Sequence, residues 1–267
     1  MQIGVIGLGA RGARLARTLL AMGHQCVVFD ASPRLVAELG AEKAYGAASL
    51  ADVANELDPP RIIWLAEPPG GVDATIAELR RFLHAGDLIV DCGPSSHLDD
   101  IRRARSLSEA RIHYVDVGVN GGGDTPCLTV GGETAAVRRI EPLLKQLAAP
   151  RGYLHCGRPG AGHFVRMIHS AVERCLAAAY AEGLGVLRGA SEYDFNLGAI
   201  ATAWKNGSMV SSPVLERLCA ALAQDPTLHT FAGQDLHQRD EWSAIRAAVD
   251  EAIPTPVLMS AMFMKNP

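Results

Sequence analysis

The sequence predicts an α/β fold: a doubly wound, mostly parallel sheet followed by a small all-α domain. Three observations carry that expectation. A glycine-rich turn joins an apolar run to a helical pattern at the start of the chain, short apolar runs then alternate with helical stretches, and beyond Gly162 only helical periodicity remains. We therefore divide the chain into residues 1–157, the sheet domain, and residues 158–267, the helical domain. A length of 267 residues, 48% of them hydrophobic, supports a substantial core.

Residues 2–6 (QIGVI) read as a strand, followed at once by GLGARG and a helical pattern that ends near Gly23. Gly7, Gly9 and Gly12 match G-x-G-x-x-G in the strand–turn–helix setting of a Rossmann-type fold. The first glycine permits the tight turn, the second lets backbone N–H groups approach a pyrophosphate, and the third lets the helix pack on the strand. The helix N-terminus then faces the phosphates. We assign Gly7, Leu8, Gly9, Ala10, Arg11 and Gly12 to cofactor binding, which makes residues 1–157 a dinucleotide-binding domain. A second strand, QCVVFD, ends in Asp30, 23 residues beyond Gly7, where such folds place the acid that accepts from the adenosine ribose hydroxyls. That carboxylate repels a 2'-phosphate. Its other reading is an ordinary turn residue before Ser32 and Pro33, a good N-cap and first helical position. The expected cofactor is NAD, with NADP left open by Arg34.

The alternation continues with a helix over 49–56, strand RIIWLA, a helix over 72–85, strand DLIVDC and a helix over 97–108. Strands RIHYVDVGV and LTVGG follow, then a helix over 133–147 and a last strand around 153–155. A ligand of such a sheet lies outside the carboxyl ends of its strands. Those ends carry Ala66 and Glu67, which we add to the cofactor set, the Cys92-Gly93-Pro94 turn, and Asn120-Gly121-Gly122-Gly123. The glycine run reads equally as a nest of anion-binding N–H groups or as a flexible turn.

From Gly160 the sequence predicts a long helix to about Leu187. Steps of three and four place Arg166, His169, Ser170 and Glu173 on one of its faces. A solvated stripe is the plain alternative; clustering on an otherwise Ala- and Val-rich helix favours a site. Helical segments at 197–204, 214–223 and 241–253 follow, with the apolar PVLMSAMFM near the end. A helical domain this small for its apolar content points to burial against a second copy, so we expect a homodimer through it.

A net charge of −4 offers no basic face for nucleic acid, and the pairs Arg80/Arg81, Arg102/Arg103 and Arg138/Arg139 read as solvated helix faces. Six cysteines without CxxC spacing suit reduced, mostly buried thiols, and nine histidines form no HExxH, so no metal site is expected. Arg11, Arg14 and Arg17 interrupt any leader-like apolar segment, and no apolar run of about 18 residues exists to span a membrane. The expected location is the cytoplasm and the expected partner a small-molecule substrate.

In order along the chain, these segments resemble the 6-phosphogluconate dehydrogenases, specifically the short bacterial type within the wider β-hydroxyacid dehydrogenase superfamily. GLGARG resembles that family's nucleotide loop, DCGPSSHLDDIRRA its Asp-Gly-Gly-Asn-Ser region, and HYVDVGVNGG its substrate loop. GYLHCGRPGAGHFVRMIHSAVE resembles its catalytic helix; YDFNLGAIATAWKNGSMVSS and EWSAIRAAVDEAIPTPV resemble its helical domain. The resemblance implies that Asn120, Gly121, Gly122 and Ser170 bind substrate, and that Glu173 is the family's proton-donating glutamate. It also places Arg166 where the family has its lysine base, Pro94 and Ser170 where it has asparagines, and Ser211 and Glu241 where it has phosphate-binding cations. A guanidinium stays protonated and clamps anions rather than accepting a proton. A carboxylate at a phosphate-binding position repels a sugar phosphate. We therefore expect an NAD(P)-dependent oxidoreductase acting on a hydroxy or keto compound other than 6-phosphogluconate. Arg166 is its anion clamp, and His169 and Glu173 are its candidate proton-transfer groups. The alternative is a relative that retains NAD but has lost catalysis and acts as a sensor or assembly partner.

Overall fold

The computed structural model of the protein describes residues 1–68, 70–121, 125–225 and 238–263, the side chains of 238–241 excepted. The chain divides into two compact units, Met1–Arg166 and Met167–Pro267. The first contains β1 (Gln2–Ile6), α1 (Ala10–Ala21), β2 (Gln25–Phe29), α2 (Pro33–Ala41), β3 (Tyr45–Gly46), α3 (Leu50–Glu56), β4 (Ile62–Leu65), α4 (Val72–Leu79), β5 (Leu88–Asp91), α5 (His97–Ser108), β6 (His113–Asn120), β7 (Cys127–Gly132), α6 (Thr134–Leu147) and β8 (Tyr153–Gly157). A 29-residue helix, α7 (Ala161–Gly189), begins in this unit and continues in the next. There it is followed by α8 (Leu197–Gly207), α9 (Pro213–Gln224), α10 (Gln238–Asp250) and α11 (Pro256–Phe263).

The strands form one sheet in the order β3-β2-β1-β4-β5-β6-β7-β8, parallel throughout except where β6 meets β7. Successive residues face opposite sides, and both sides are apolar. Ile3, Val5, Ile62, Trp64, Leu88 and Val90 belong to one buried cluster, to which α6 contributes Ile140 and Leu144. Ile6, Ile63, Leu65 and Ile89 belong to a second, completed by Val53, Leu79 and Leu107 from α3, α4 and α5. That two-sided burial is what the continuous apolar runs of the sequence encode. The helix expected over 72–85 stops at Leu79, where Phe82 N–H donates to the Leu79 carbonyl at 2.8 Å and the chain tightens into turns. In the second unit Tyr180 and Leu184 of α7 pack with Ala201, Leu215 and Leu222 around a separate core.

The start of α7 is pinned to the sheet. Asp116, fully buried on β6, accepts hydrogen bonds from the N–H groups of Gly160 at 2.7 Å and His163 at 2.9 Å. These are donors that a helix start cannot satisfy internally, and a carboxylate beside them also meets the positive end of the helix dipole. The approach requires glycine: a Cβ on Gly162 would stand 2.5 Å from the Thr129 carbonyl oxygen and 2.7 Å from that of Asp116.

Behind this contact lies a buried polar cluster. His163 Nδ1 is 2.7 Å from Asp100 Oδ2, and the Tyr114 hydroxyl lies 2.8 Å from Asp100 Oδ1 and 2.9 Å from Asp91 Oδ2. Arg103 donates through Nε to Asp73 at 2.7 Å, and through Nη1 to Ser95 at 2.9 Å and Asp91 at 3.2 Å. Two expectations are corrected here. Arg102 is solvated, but the Arg103 side chain is only 6% exposed, because Asp100, Arg103 and Leu107 form the inward face of α5. All six cysteines are free thiols, yet only Cys26 and Cys92 are buried; Cys127 is exposed at the first position of β7, and the other three, on the edge strand β8 and in the helical unit, are half-buried.

Two measurements check this account. Gly162→Ala lowers stability by about 1–3 kcal/mol in denaturant unfolding through overpacking. By contrast Gly185→Ala, with nothing within 4 Å of the added Cβ, stabilises α7, by about 0.5–1 kcal/mol. Burial alone would depress the His163 ring, but its bond to Asp100 and the carboxylates of Asp91 and Asp116 raise its pKa above the usual value. A raised folded-state pKa gives stability that is fully present below the unfolded value of about 6.5 and is lost as pH rises through the folded one. The stability gap between wild type and His163→Gln is accordingly widest in mild acid and narrows with rising pH; a gap that widens instead contradicts a charged His163.

Candidate active site

The glycine loop forms the first wall. Gly7 adopts a φ of 87°, in the left-handed region, and a Cβ on Gly12 would overlap the Gly7 carbonyl oxygen. Leu8 is buried, whereas Gly9, Ala10 and Arg11 are exposed, and a Cβ on Gly9 would meet nothing within 4 Å. Space therefore remains in front of the first N–H groups of α1, which have no intrahelical acceptor. Asp30 does two jobs: Oδ2 accepts from Leu8 N–H at 2.6 Å and Oδ1 from Ser32 N–H at 2.8 Å. It thus fixes the loop and the turn into α2 together. An exposed helix N-terminus, a glycine cradle and an acid at the end of β2 are the features a nicotinamide dinucleotide requires.

The second wall is the end of β4, the strand on the far side of β1 from β2. Ala66 N–H donates to the Ile6 carbonyl at 2.8 Å, tying this end to β1. Glu67 follows, its Oε1 accepting from Thr75 Oγ1 at 2.9 Å. Burial raises the Glu67 pKa, opposed by the Thr75 hydrogen bond and assisted by the negative charges of Asp91 and Asp30. Next to it the Cys92-Gly93-Pro94 turn is held by Asp91, whose Oδ1 accepts from Gly93 N–H at 2.9 Å. Burial pushes the Cys92 thiol up to about 12, which removes it as a nucleophile.

The third wall is β6 and the start of α7. Asn120 is buried opposite Cys127, and Gly121 has a φ of 97°; Gly122, also assigned to substrate, lies outside the described residues. Arg166 is 5% exposed, and a Cβ on Gly118 would stand 2.8 Å from the Arg166 Cβ, so a glycine on β6 makes room for it. The solvated-face reading of Arg166 is thereby excluded. Arg166 belongs to the first unit; His169, Ser170 and Glu173 belong to the second. There His169 is 42% exposed and its Nδ1 lies 3.6 Å from Glu173 Oε2. Ser170 is half-buried. Glu173 Oε1 accepts from Arg217 at 3.0 Å, a partner on α9 that no sequence spacing announces. Ser211, at an expected cation position, donates a hydrogen bond from its hydroxyl to the Lys205 carbonyl at 2.6 Å; the Glu241 side chain lies outside the described residues.

Asp91, Asp100 and His163 come together closely enough to suggest a metal ligand set. Their oxygens are already taken by Tyr114 and by the Arg103 guanidinium, a cation in their midst, so the cluster is structural. Among the described residues no helix is long and apolar enough to cross a membrane.

Comparison with known proteins agrees with this geometry. Residues 2–158 match the NAD binding domain of 6-phosphogluconate dehydrogenase, and residues 146–265 match the C-terminal domain of 6-phosphogluconate dehydrogenase. YqeC of Bacillus subtilis (strain 168) is 36% identical over 99% of this chain and 90% of its own length. The NAD(+)-dependent, decarboxylating 6-phosphogluconate dehydrogenase of Haloferax volcanii is 34% identical over 98% of this chain and 89% of its own. Among solved structures, 3-hydroxyisobutyrate dehydrogenase of Mycobacterium tuberculosis superposes with a TM-score of 0.79 at 20% identity, covering 98% of this chain and 91% of that one. A glycine loop braced by Asp30, a β4 end tied to β1, and two domain matches that together span nearly the whole chain lead to one conclusion: the protein belongs to the 6-phosphogluconate dehydrogenase family of NAD(P)-dependent dehydrogenases.

Proposed function

We propose that the protein is an NAD-preferring dehydrogenase of a hydroxy or keto compound other than 6-phosphogluconate, with a carboxylate that Arg166 clamps. The observation that carries this reading is Arg166 itself, buried against Gly118 where the family resemblance puts a lysine base. A guanidinium there fixes an anion or steadies a developing oxyanion and leaves proton transfer to other groups. We assign that task to His169 and Glu173, with Asn120, Gly121, Gly122 and Ser170 shaping the substrate side. Ser211 in place of a phosphate-binding cation argues against a sugar phosphate.

Gly7 to Gly12, Asp30, Ala66 and Glu67 form the proposed cofactor set. The bound nicotinamide supplies the two-electron acceptor; the chain's own residues orient it and discriminate its adenosine half. The Asp30 carboxylate repels a 2'-phosphate, and the nearby Arg34, largely exposed, is shared with Glu38 one helical turn on. NAD is therefore favoured over NADP. Residues 1–157 are proposed as the cofactor domain and 158–267 as the substrate and dimerisation domain. Exposed Val172, Leu176, Val257, Met259 and Phe263 in the latter suit burial in a homodimer. Six free thiols suit a reducing cytoplasm.

NADH absorbance with a panel of hydroxy acids and keto acids tests the reaction. Arg166→Ala lowers kcat/KM on the best substrate by about a hundredfold, the loss of a charge-assisted clamp; unchanged turnover refutes the assignment. Asp30→Ala weakens NAD binding by about tenfold and narrows its advantage over NADP, as read by calorimetry.

A further inference from the structure

Glu67 ends in a carboxylate oxygen that the family relationship and the roles given to Arg166, His169 and Glu173 do not use. It follows β4, across β1 from β2 and Asp30. A dinucleotide that meets Asp30 with its adenosine ribose and the glycine loop with its pyrophosphate continues towards β4, so its nicotinamide half runs past Glu67. The side chain is fixed there: Oε1 holds the Thr75 hydroxyl, and a Cβ on Gly7 would stand 3.0 Å from the Glu67 Cγ. Oε2 is shut off from solvent and has no hydrogen-bond partner.

The groups around it leave that oxygen unneutralised. From β2 comes Asp30, occupied by two backbone N–H groups; from β5 comes Asp91, occupied by Gly93, Ser95, Tyr114 and Arg103. Arg11 of α1 is turned to the Cys92 carbonyl at 3.4 Å, and α4 offers only the neutral Thr75. Among the described residues no cation pairs with Glu67.

We propose that Glu67 is the proton-exchanging residue of the cofactor crevice, its Oε2 losing a proton when a positively charged nicotinamide lies beside it and regaining one when that charge is neutralised. This rests on the reading that the glycine loop binds a nicotinamide dinucleotide. Burial and the facing carboxylates raise the Glu67 pKa in the free protein, against the Thr75 hydrogen bond, and a neighbouring positive charge lowers it. Oxidation of an alcohol to a carbonyl passes its carbon-bound hydrogen and two electrons to the bound cofactor and its hydroxyl proton to His169 or Glu173, the groups proposed above for that transfer. Glu67 takes back from solvent the proton it released on binding, once the positive charge beside it is gone.

The test is calorimetric titration of the full-length protein with NAD+ and with NADH across mildly acidic and neutral pH, in two buffers of different ionisation enthalpy. NAD+ binding is expected to release up to about one proton and to tighten by up to about tenfold per pH unit where Glu67 titrates. NADH binding releases none and is flat. Glu67→Gln, which keeps an acceptor for Thr75 but does not titrate, flattens the NAD+ profile. Equal pH dependence for the two dinucleotides overturns the proposal, as does a difference that survives in Glu67→Gln. If that variant does not fold, the wild-type comparison decides alone. Failure of both dinucleotides to bind overturns the cofactor reading itself, whereas binding of both with flat profiles overturns only the role of Glu67.

Discussion

The close approach of the first turn of α7 to the backbone of β6 and β7 is the constraint on which the first unit's chemistry depends. Side-chain volume is excluded from that contact: Gly118, Gly131 and Gly162 each sit where a Cβ would collide with neighbouring atoms. Glycine in a strand or helix interior is ordinarily unfavourable by about 0.5–1 kcal/mol relative to alanine. Here Asp116 offsets that loss by satisfying two N–H groups of the helix start. The result is a backbone-to-backbone contact with little slack, and Arg166 inherits its position from it.

The same economy appears at the nucleotide loop. Asp30 gives both oxygens to backbone N–H groups, so the residue proposed to discriminate the cofactor also holds the glycine loop. Glu67 differs from it in a telling way. Its carboxylate is anchored through one oxygen only, and the other is withdrawn from water. Two acids on opposite sides of β1 are thus held differently, one through both oxygens and one through a single oxygen.

Much of this was legible in the sequence because the signals are local. The glycine spacing, the alternation of apolar runs with helices, and the start of α2 at Pro33 all depend on residues near one another in the chain. Two-residue β3 was not legible, being too short to show a period, and the reversal of β7 against β6 leaves no local mark. At the site, Arg166 stood out by its place on a helix face, but its burial depends on Gly118, 48 positions away. Arg103 read as a solvated charge because a sequence window shows Arg102 and Arg103 alike; only the inward face shared with Asp100 and Leu107 separates them. The pairing of Glu173 with Arg217 is likewise a contact between distant segments.

The buried cluster behind α7 bears on how such a protein changes over generations. Asp91, Asp100, Arg103, Tyr114 and His163 each satisfy at least one other member, so removing any one strands a charge or a hydroxyl away from water. A single change at any of these positions therefore costs stability that a compensating change in its partner can restore. Substitutions in this cluster are thus coupled, and it changes in pairs rather than one position at a time.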